Sequence, residues 1–145
     1  MNFDDYNLKA LEATYKNARL AIDSISDIIS SVKNEELKKE ILSQNEGYQK
    51  FLGEITKFMT ENSIEISKIN PFQKAMMWSS IKIKTLFDDS KNNIAEMMIK
   101  GTTVGINELT AMQNESSNLE PEIKDFVSKL LTLEEKYNEN LKEFL

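Results

Sequence analysis

The sequence contains no cysteine and no histidine. Without cysteine the chain has no disulfide bond, no thiolate nucleophile and no thiolate metal ligand, and this composition suits a reducing cytoplasm, where we expect the protein to reside. Without histidine it has no imidazole to bind a metal and no side chain whose ordinary pKa lies near neutrality. The two absences predict a protein that is not an enzyme and holds no cofactor.

Helix-breaking residues and arginine are also scarce, with two prolines, four glycines and a single arginine. A guanidinium that binds phosphate through two parallel hydrogen bonds is therefore nearly absent, and a net charge of −6 disfavours nucleic-acid partners. No run of about 18 apolar residues is present, so we predict no transmembrane segment. The acidic start of the chain is unlike a signal peptide.

What the sequence does contain is helical periodicity, with apolar residues at spacings of three and four. This pattern predicts helices over about residues 5–32, 35–61, 71–87, 90–115 and 121–144. The helix that starts at Pro71 is shorter than the others, and proline is well tolerated in a first helical turn. Four long helices of similar length specify a helical bundle, so we predict one all-α domain over residues 1–145.

The lengths of the links between these helices predict the topology. Short links at residues 33–34 and 116–120 make two antiparallel helix pairs, whereas the long link between the second and third long helices can return along the whole bundle. We therefore predict a long crossover that contains the fifth, shorter helix. A simple up-and-down order is the alternative if the helix at Pro71 only covers one end.

Residues 94–112 are apolar over most of the helical circumference, so we predict that this helix is the buried centre of the bundle. Gly101 and Gly105 lie on its apolar line. Each glycine inside a helix costs roughly 0.8–1 kcal/mol relative to alanine, so the pair predicts close packing of a neighbouring helix. A hinge, or a ligand that approaches the backbone, is the functional alternative.

The segment Ile-Ala-Glu-Met-Met-Ile-Lys-Gly-Thr-Thr at residues 94–103 resembles the third helix of small bacterial ferritin-like proteins, which have a helical crossover between their second and third long helices. The resemblance implies a ferritin-like four-helix bundle. Di-iron members of that superfamily bind iron through glutamates and Glu-x-x-His motifs. This chain has Thr102 where an acidic residue often follows the glycine, and it has no histidine. Glu12 and Glu108 could at most form an oxygen-only site, so we predict no metal centre.

A polar layer is expected near the middle of the bundle, because several polar residues lie on or near the inward lines. Their hydroxyl and amide groups need hydrogen-bond partners, which they can supply to each other. A layer that fixes the helix register is the simpler interpretation, and a small-ligand pocket is the alternative. The predicted members are Tyr15, Gln44, Tyr48, Thr102 and Tyr137.

Residues 63–87 form the second candidate site, because they carry an excess of lysine and have apolar residues on more than one face. A helix packed on a bundle buries one face, so the other face is a predicted interface. Simple packing of the crossover, or an anionic or membrane-surface partner, would be alternatives. The predicted interface residues are Phe72, Met76, Met77, Trp78 and Ile81.

The sequence therefore predicts a non-enzymatic bundle that acts by association, as a homo-oligomer and most simply a dimer, or with another protein. The resemblance implies a bacterial source and suggests a stress- or spore-related assembly. The alternative function is a ferritin-like bundle that binds a metal or a small ligand without ferroxidase chemistry.

Overall fold

The computed structural model describes residues 3–65 and 88–145, which form four long α-helices and no strand. Helix α1 spans Asp5–Ile28 and continues as a 3₁₀ turn over Ile29–Ser31. Helix α2 spans Glu35–Glu61, α3 spans Lys91–Asn114 and α4 spans Pro121–Lys142, with a second 3₁₀ turn at Ser116–Asn118. The predictions of an all-α chain and a helical bundle are confirmed. The predicted helix at residues 71–87 lies outside the described residues.

The helix starts are fixed by side chains and backbone geometry that the sequence makes recognisable. Asp4 and Asn34 each accept a hydrogen bond from a backbone amide of the following turn, 2.9 Å from Asn7 N and Leu37 N respectively. Pro121 occupies the first turn of α4. The amides of a first turn have no acceptor within the helix, so the missing N–H of proline costs no hydrogen bond there. In the described residues, no helix is both long enough and apolar enough to cross a bilayer.

Contacts at the two ends of the bundle establish the direction of each helix. At one end, Asn7 at the start of α1 accepts a hydrogen bond from the amide of Glu120, which follows α3, at 2.8 Å. At the other end, Lys33 in the α1–α2 turn forms an ion pair of 2.9 Å with Asp89, just before α3. Helices α2 and α3 therefore start at the same end and run parallel. The chain between them joins opposite ends of the bundle, which excludes the simple up-and-down order.

Helix α3 does not have the central position, because α1 and α4 are the described helices that pack against all three others. The expectation that α3 forms the buried centre is wrong. Of its apolar residues only Ile94, Ala95, Met97 and Leu109 are buried, and Val104 is 68% exposed. The reason is that α3 packs mainly on α4 and has little contact with α1, so the described helices cover only part of its circumference.

The two glycines of α3 have different surroundings. A Cβ built at Gly105 would lie 2.9 Å from Glu134 Oε1 and 3.0 Å from the Asn17 amide group, so a close approach exists there, made by polar side chains. Gly101 is exposed, and a Cβ built on it would meet no atom of the described residues within 4 Å. The close packing predicted at Gly101 is therefore wrong for this part of the chain, because no described helix comes close to this residue.

Alanine at these two positions should have different effects on stability. We expect Gly101→Ala to raise the free energy of unfolding by about 0.5–1 kcal/mol, because the methyl group enters open space and the unfolded chain loses entropy. Gly105→Ala should be less stable than Gly101→Ala by about 1–3 kcal/mol, because Glu134 or Asn17 must move. Urea denaturation of both variants measures the difference. Equal stabilities would contradict the close approach at Gly105.

Candidate functional site

Three of the five residues predicted for the polar layer are buried and in contact between α2 and α4. Gln44 and Tyr48 lie on α2, and Tyr137 lies on α4. The rings of Tyr48 and Tyr137 meet edge to face, with centroids 5.3 Å apart, and Gln44 Nε2 donates to the Tyr137 carbonyl at 3.5 Å. The helical spacing of the sequence therefore identifies the correct faces of both helices.

The other two predicted members, Tyr15 and Thr102, have no hydrogen bond to this layer among the described residues. Tyr15 is half-buried and packs against the apolar core. Thr102 is also half-buried, and its hydroxyl donates to the Met98 carbonyl of its own helix at 2.8 Å. A threonine hydroxyl that bonds one turn back along its helix does not need a partner from another helix. The prediction that Thr102 contributes to the layer is therefore wrong.

Glu134 is the residue that the sequence pattern missed, and it lies at the centre of the layer. It is on α4 with 2% of its surface exposed, and its Oε2 accepts a hydrogen bond from the Tyr48 hydroxyl at 2.9 Å. The helical period contained a signal for it, because position 134 follows Leu130 by four residues and precedes Tyr137 by three. The apolar pattern favoured the neighbouring Leu133, which is only half-buried.

Burial raises the pKa of Glu134 to about 8, since a charged carboxylate is poorly solvated inside the bundle. The Tyr48 hydroxyl and the Asn17 amide beside it oppose this rise, whereas the charge of Glu108 adds to it. At neutral pH the carboxyl is therefore mostly protonated. Burial also raises the pKa of Tyr48 well above its ordinary value, and the charge of Glu134 adds to that rise. Both groups of the pair are neutral at pH 7.

One buried oxygen of this carboxyl, Glu134 Oε1, has no hydrogen-bond partner within the described residues. It lies next to Gly105, where an added Cβ would be 2.9 Å away. Asn138 Oδ1, one turn further along α4, is also buried and lacks a partner there. A protonated carboxyl can donate a hydrogen bond as well as accept one, so the neutral form suits an environment that contains a second acceptor.

The layer continues towards the surface through Glu40, which is half-buried on α2. Its Oε2 accepts hydrogen bonds from Gln44 Nε2 at 2.9 Å and from Asn140 Nδ2 at 3.2 Å. Burial raises the pKa of Tyr137, and the charge of Glu40 adds to the rise. Gln44, Glu40 and Asn140 thus satisfy one another across the α2–α4 interface, which is what a register-fixing polar network requires.

The residues present do not fit the di-iron centre that some ferritin-like proteins have. The inward positions hold Gln44, Tyr48 and Gly105, and the buried carboxyl of Glu134 is protonated and bonded to Tyr48. Glu12 is engaged with Lys16 at 2.7 Å. Nowhere in residues 3–65 and 88–145 do three or more acidic residues group in a way that could hold a metal ion.

Neither the protein-family models nor the curated proteins contain a match to this sequence. The fold is similar to that of "YcfI, a putative structural protein from Rhodopseudomonas palustris", with a TM-score of 0.77 and 15% sequence identity. The alignment covers 98% of this chain and 94% of that one. At this identity the likeness shows the fold alone, which is an all-α helical bundle.

The five predicted interface residues, Phe72, Met76, Met77, Trp78 and Ile81, lie outside the described residues.

Proposed function

We propose that this chain is a non-enzymatic ferritin-like bundle that acts by association, first of all with a second copy of itself as a dimer. The parallel course of α2 and α3 supports the ferritin-like topology, because it requires a connection along the full length of the bundle. The absence of cysteine suits a reducing cytoplasm, and the ferritin-like resemblance implies a bacterial source and suggests a stress- or spore-related assembly.

The observation that carries this proposal is the incomplete burial of α3. A helix that is apolar on most sides is normally covered on most sides. Here Val104 is 68% exposed, and Met98, Ile99, Ile106 and Met112 are only partly buried. An apolar helix surface that the described residues leave open is typical of a protein–protein contact.

The buried polar layer supports a structural role for the interior. Glu134 and Tyr48 are almost fully enclosed and hydrogen-bonded to each other, so a substrate would have to enter the core to reach them. Polar networks of this kind fix which helix faces meet. One solved neighbour with this fold is described as "a putative structural protein", which agrees with a non-enzymatic role here.

A small-ligand-binding bundle is the second candidate, and the unpartnered Glu134 Oε1 is the observation that favours it. A ligand that donates a hydrogen bond, or a divalent cation bound by oxygen atoms alone, would satisfy that atom. Thermal unfolding in the presence of Mg²⁺, Ca²⁺ and Mn²⁺ tests whether the ligand is a divalent cation. A melting temperature that rises with the concentration of one ion would favour it over association.

Introducing a charge at Val104, the exposed apolar residue of α3, tests the proposed association. We expect Val104→Lys to shift the protein from dimer to monomer in sedimentation velocity, because each partner would have to bury a lysine. Leu42→Lys is the matched control, since Leu42 is an exposed apolar residue of α2 that lies on another surface. An unchanged dimer in Val104→Lys, or equal dissociation of both variants, would move the interface away from α3.

The sequence-predicted interface on residues 72–81 remains a second proposed surface for association. Trp78→Ala and Met77→Lys should weaken the oligomer if that surface forms the contact. Comparing these two variants with Val104→Lys in the same sedimentation series identifies which surface carries the larger part of the binding free energy.

A further inference from the structure

We propose that a second copy of this chain binds α3 of the first in antiparallel orientation about a two-fold axis at Val104, so that Lys100 of each copy pairs with the partner's Glu108. This inference rests on the proposed self-association and names its surface. The same helix of both copies would form the contact, as an isologous two-fold interface requires.

The geometry of this antiparallel contact follows from the spacing of three exposed residues on α3. Lys100, Val104 and Glu108 are all exposed and follow each other at four-residue steps. Each step advances about 6 Å along a helix and rotates about 40° around it, so the three side chains share one face. Val104 is the midpoint, with a positive charge one turn before it and a negative charge one turn after it.

A two-fold axis through Val104, perpendicular to the helix, reverses the direction of α3 in the second copy. Lys100 of one copy then comes to the axial level of Glu108 in the other, and the symmetry produces this pairing twice. The apolar Val104 side chains meet at the centre, between the two ion pairs. The surface is thus complementary to itself in charge, a property that a contact between two copies needs.

Two further features of α3 suit the approach of another helix. Gly101 and Ala111 are exposed and small, so the backbones can come close on either side of Val104. Glu108 has no ion pair within the described residues, and partial desolvation of its exposed side chain raises its pKa above the ordinary value. An opposing lysine would offset that desolvation.

The existing partner of Lys100 does not compete strongly with this pairing. Lys100 Nζ lies 3.2 Å from Glu96 Oε1 in a pair whose two side chains are more than half exposed. Exposed pairs of this kind contribute little to stability. Lys100 is therefore available to a second carboxylate that approaches from outside the chain.

Charge reversal at the two positions tests the arrangement with the full-length protein. We expect Lys100→Glu and Glu108→Lys, each alone, to weaken dimerisation about tenfold or more in sedimentation velocity, because each variant creates two like-charge contacts. The double variant, Lys100→Glu with Glu108→Lys, should recover the dimer. Lys57→Glu is the control, since Lys57 also pairs with a glutamate one turn away, Glu61, but on α2.

Mixing the two single variants gives the most specific result. One copy then presents glutamate at both positions and the other lysine at both, so we expect a heterodimer that neither variant forms with itself. Native mass spectrometry with one variant labelled with ¹⁵N detects it. Circular dichroism of each variant verifies that the helices are intact.

The outcomes separate this inference from the proposed function. A wild-type dimer that survives both single reversals, with no preference for the mixed pair, overturns the α3 arrangement and leaves self-association on another surface. A wild-type protein that is monomeric at every concentration up to about 100 µM overturns both. Loss of the dimer in the two single variants, with recovery in their mixture, supports the α3 arrangement and the proposed self-association.

Discussion

Raising the pH from 4.5 to 9 should destabilise the wild-type protein by roughly 2–5 kcal/mol more than the variant Glu134→Gln. Burial raises the pKa of Glu134 from 4.5 to about 8, so the folded protein favours the protonated carboxyl. For a group whose pKa is higher in the folded state, the stabilisation is complete below the unfolded pKa of 4.5 and is lost as the pH rises towards 8. The free energy of unfolding should therefore fall across that interval.

Urea denaturation at several pH values measures this difference. Glutamine keeps the size of the side chain and accepts the Tyr48 hydrogen bond but does not ionise, so the pH dependence that remains in Glu134→Gln comes from the other groups. Glu135→Gln is the matched control, because Glu135 is the exposed neighbour on the same helix. Parallel stability curves for the wild type and Glu134→Gln would show that the buried carboxyl does not titrate in this range.

Substituting alanine for Gly47 should cost about 1–3 kcal/mol or more of stability. Gly47 lies on α2 where the Tyr137 side chain passes it, and an added Cβ would be 1.7 Å from the Tyr137 hydroxyl and 3.0 Å from Cζ. The buried Tyr137 ring would have to turn away and would lose its edge-to-face contact with Tyr48.

Gly53, on the same helix, is the control for this substitution, because no described atom lies within 4 Å of an added Cβ. Gly53→Ala should stabilise the protein by about 0.5–1 kcal/mol, as alanine does inside an exposed helix. Removing the hydroxyl with Tyr137→Phe should recover part of the loss in Gly47→Ala, and a double-mutant cycle measures that coupling. Independent effects of the two substitutions would contradict the contact between Gly47 and Tyr137.

The architecture was the part of the structure that the sequence predicted well. The α2 bounds agree with the prediction, and the starts and ends of the other three described α-helices differ from it by a few residues at most. Helical periodicity and the lengths of the links are local properties, so they can be read without knowing the tertiary packing. The same information selected Gln44, Tyr48 and Tyr137 as inward-facing polar residues.

The errors arose where tertiary packing, which the sequence pattern does not show, determines the surroundings of a residue. Periodicity shows which face of a helix is apolar, but it does not show whether the same chain covers that face, so α3 was expected at the centre. Gly101 and Gly105 are separated by one turn and about 40° of rotation, and only Gly105 meets the side chains of Glu134 and Asn17. Glu134 was missed because its charge favours the surface, whereas in this bundle burial keeps it neutral.

We propose that this bundle acts by binding another copy of itself and holds no ligand. Native mass spectrometry of the purified chain tests this proposal, because it measures the number of subunits and any bound mass together. We predict a species with the mass of two bare chains. A monomer at every concentration would contradict association, and an added mass of one divalent ion or small molecule per subunit would contradict a bundle without a ligand.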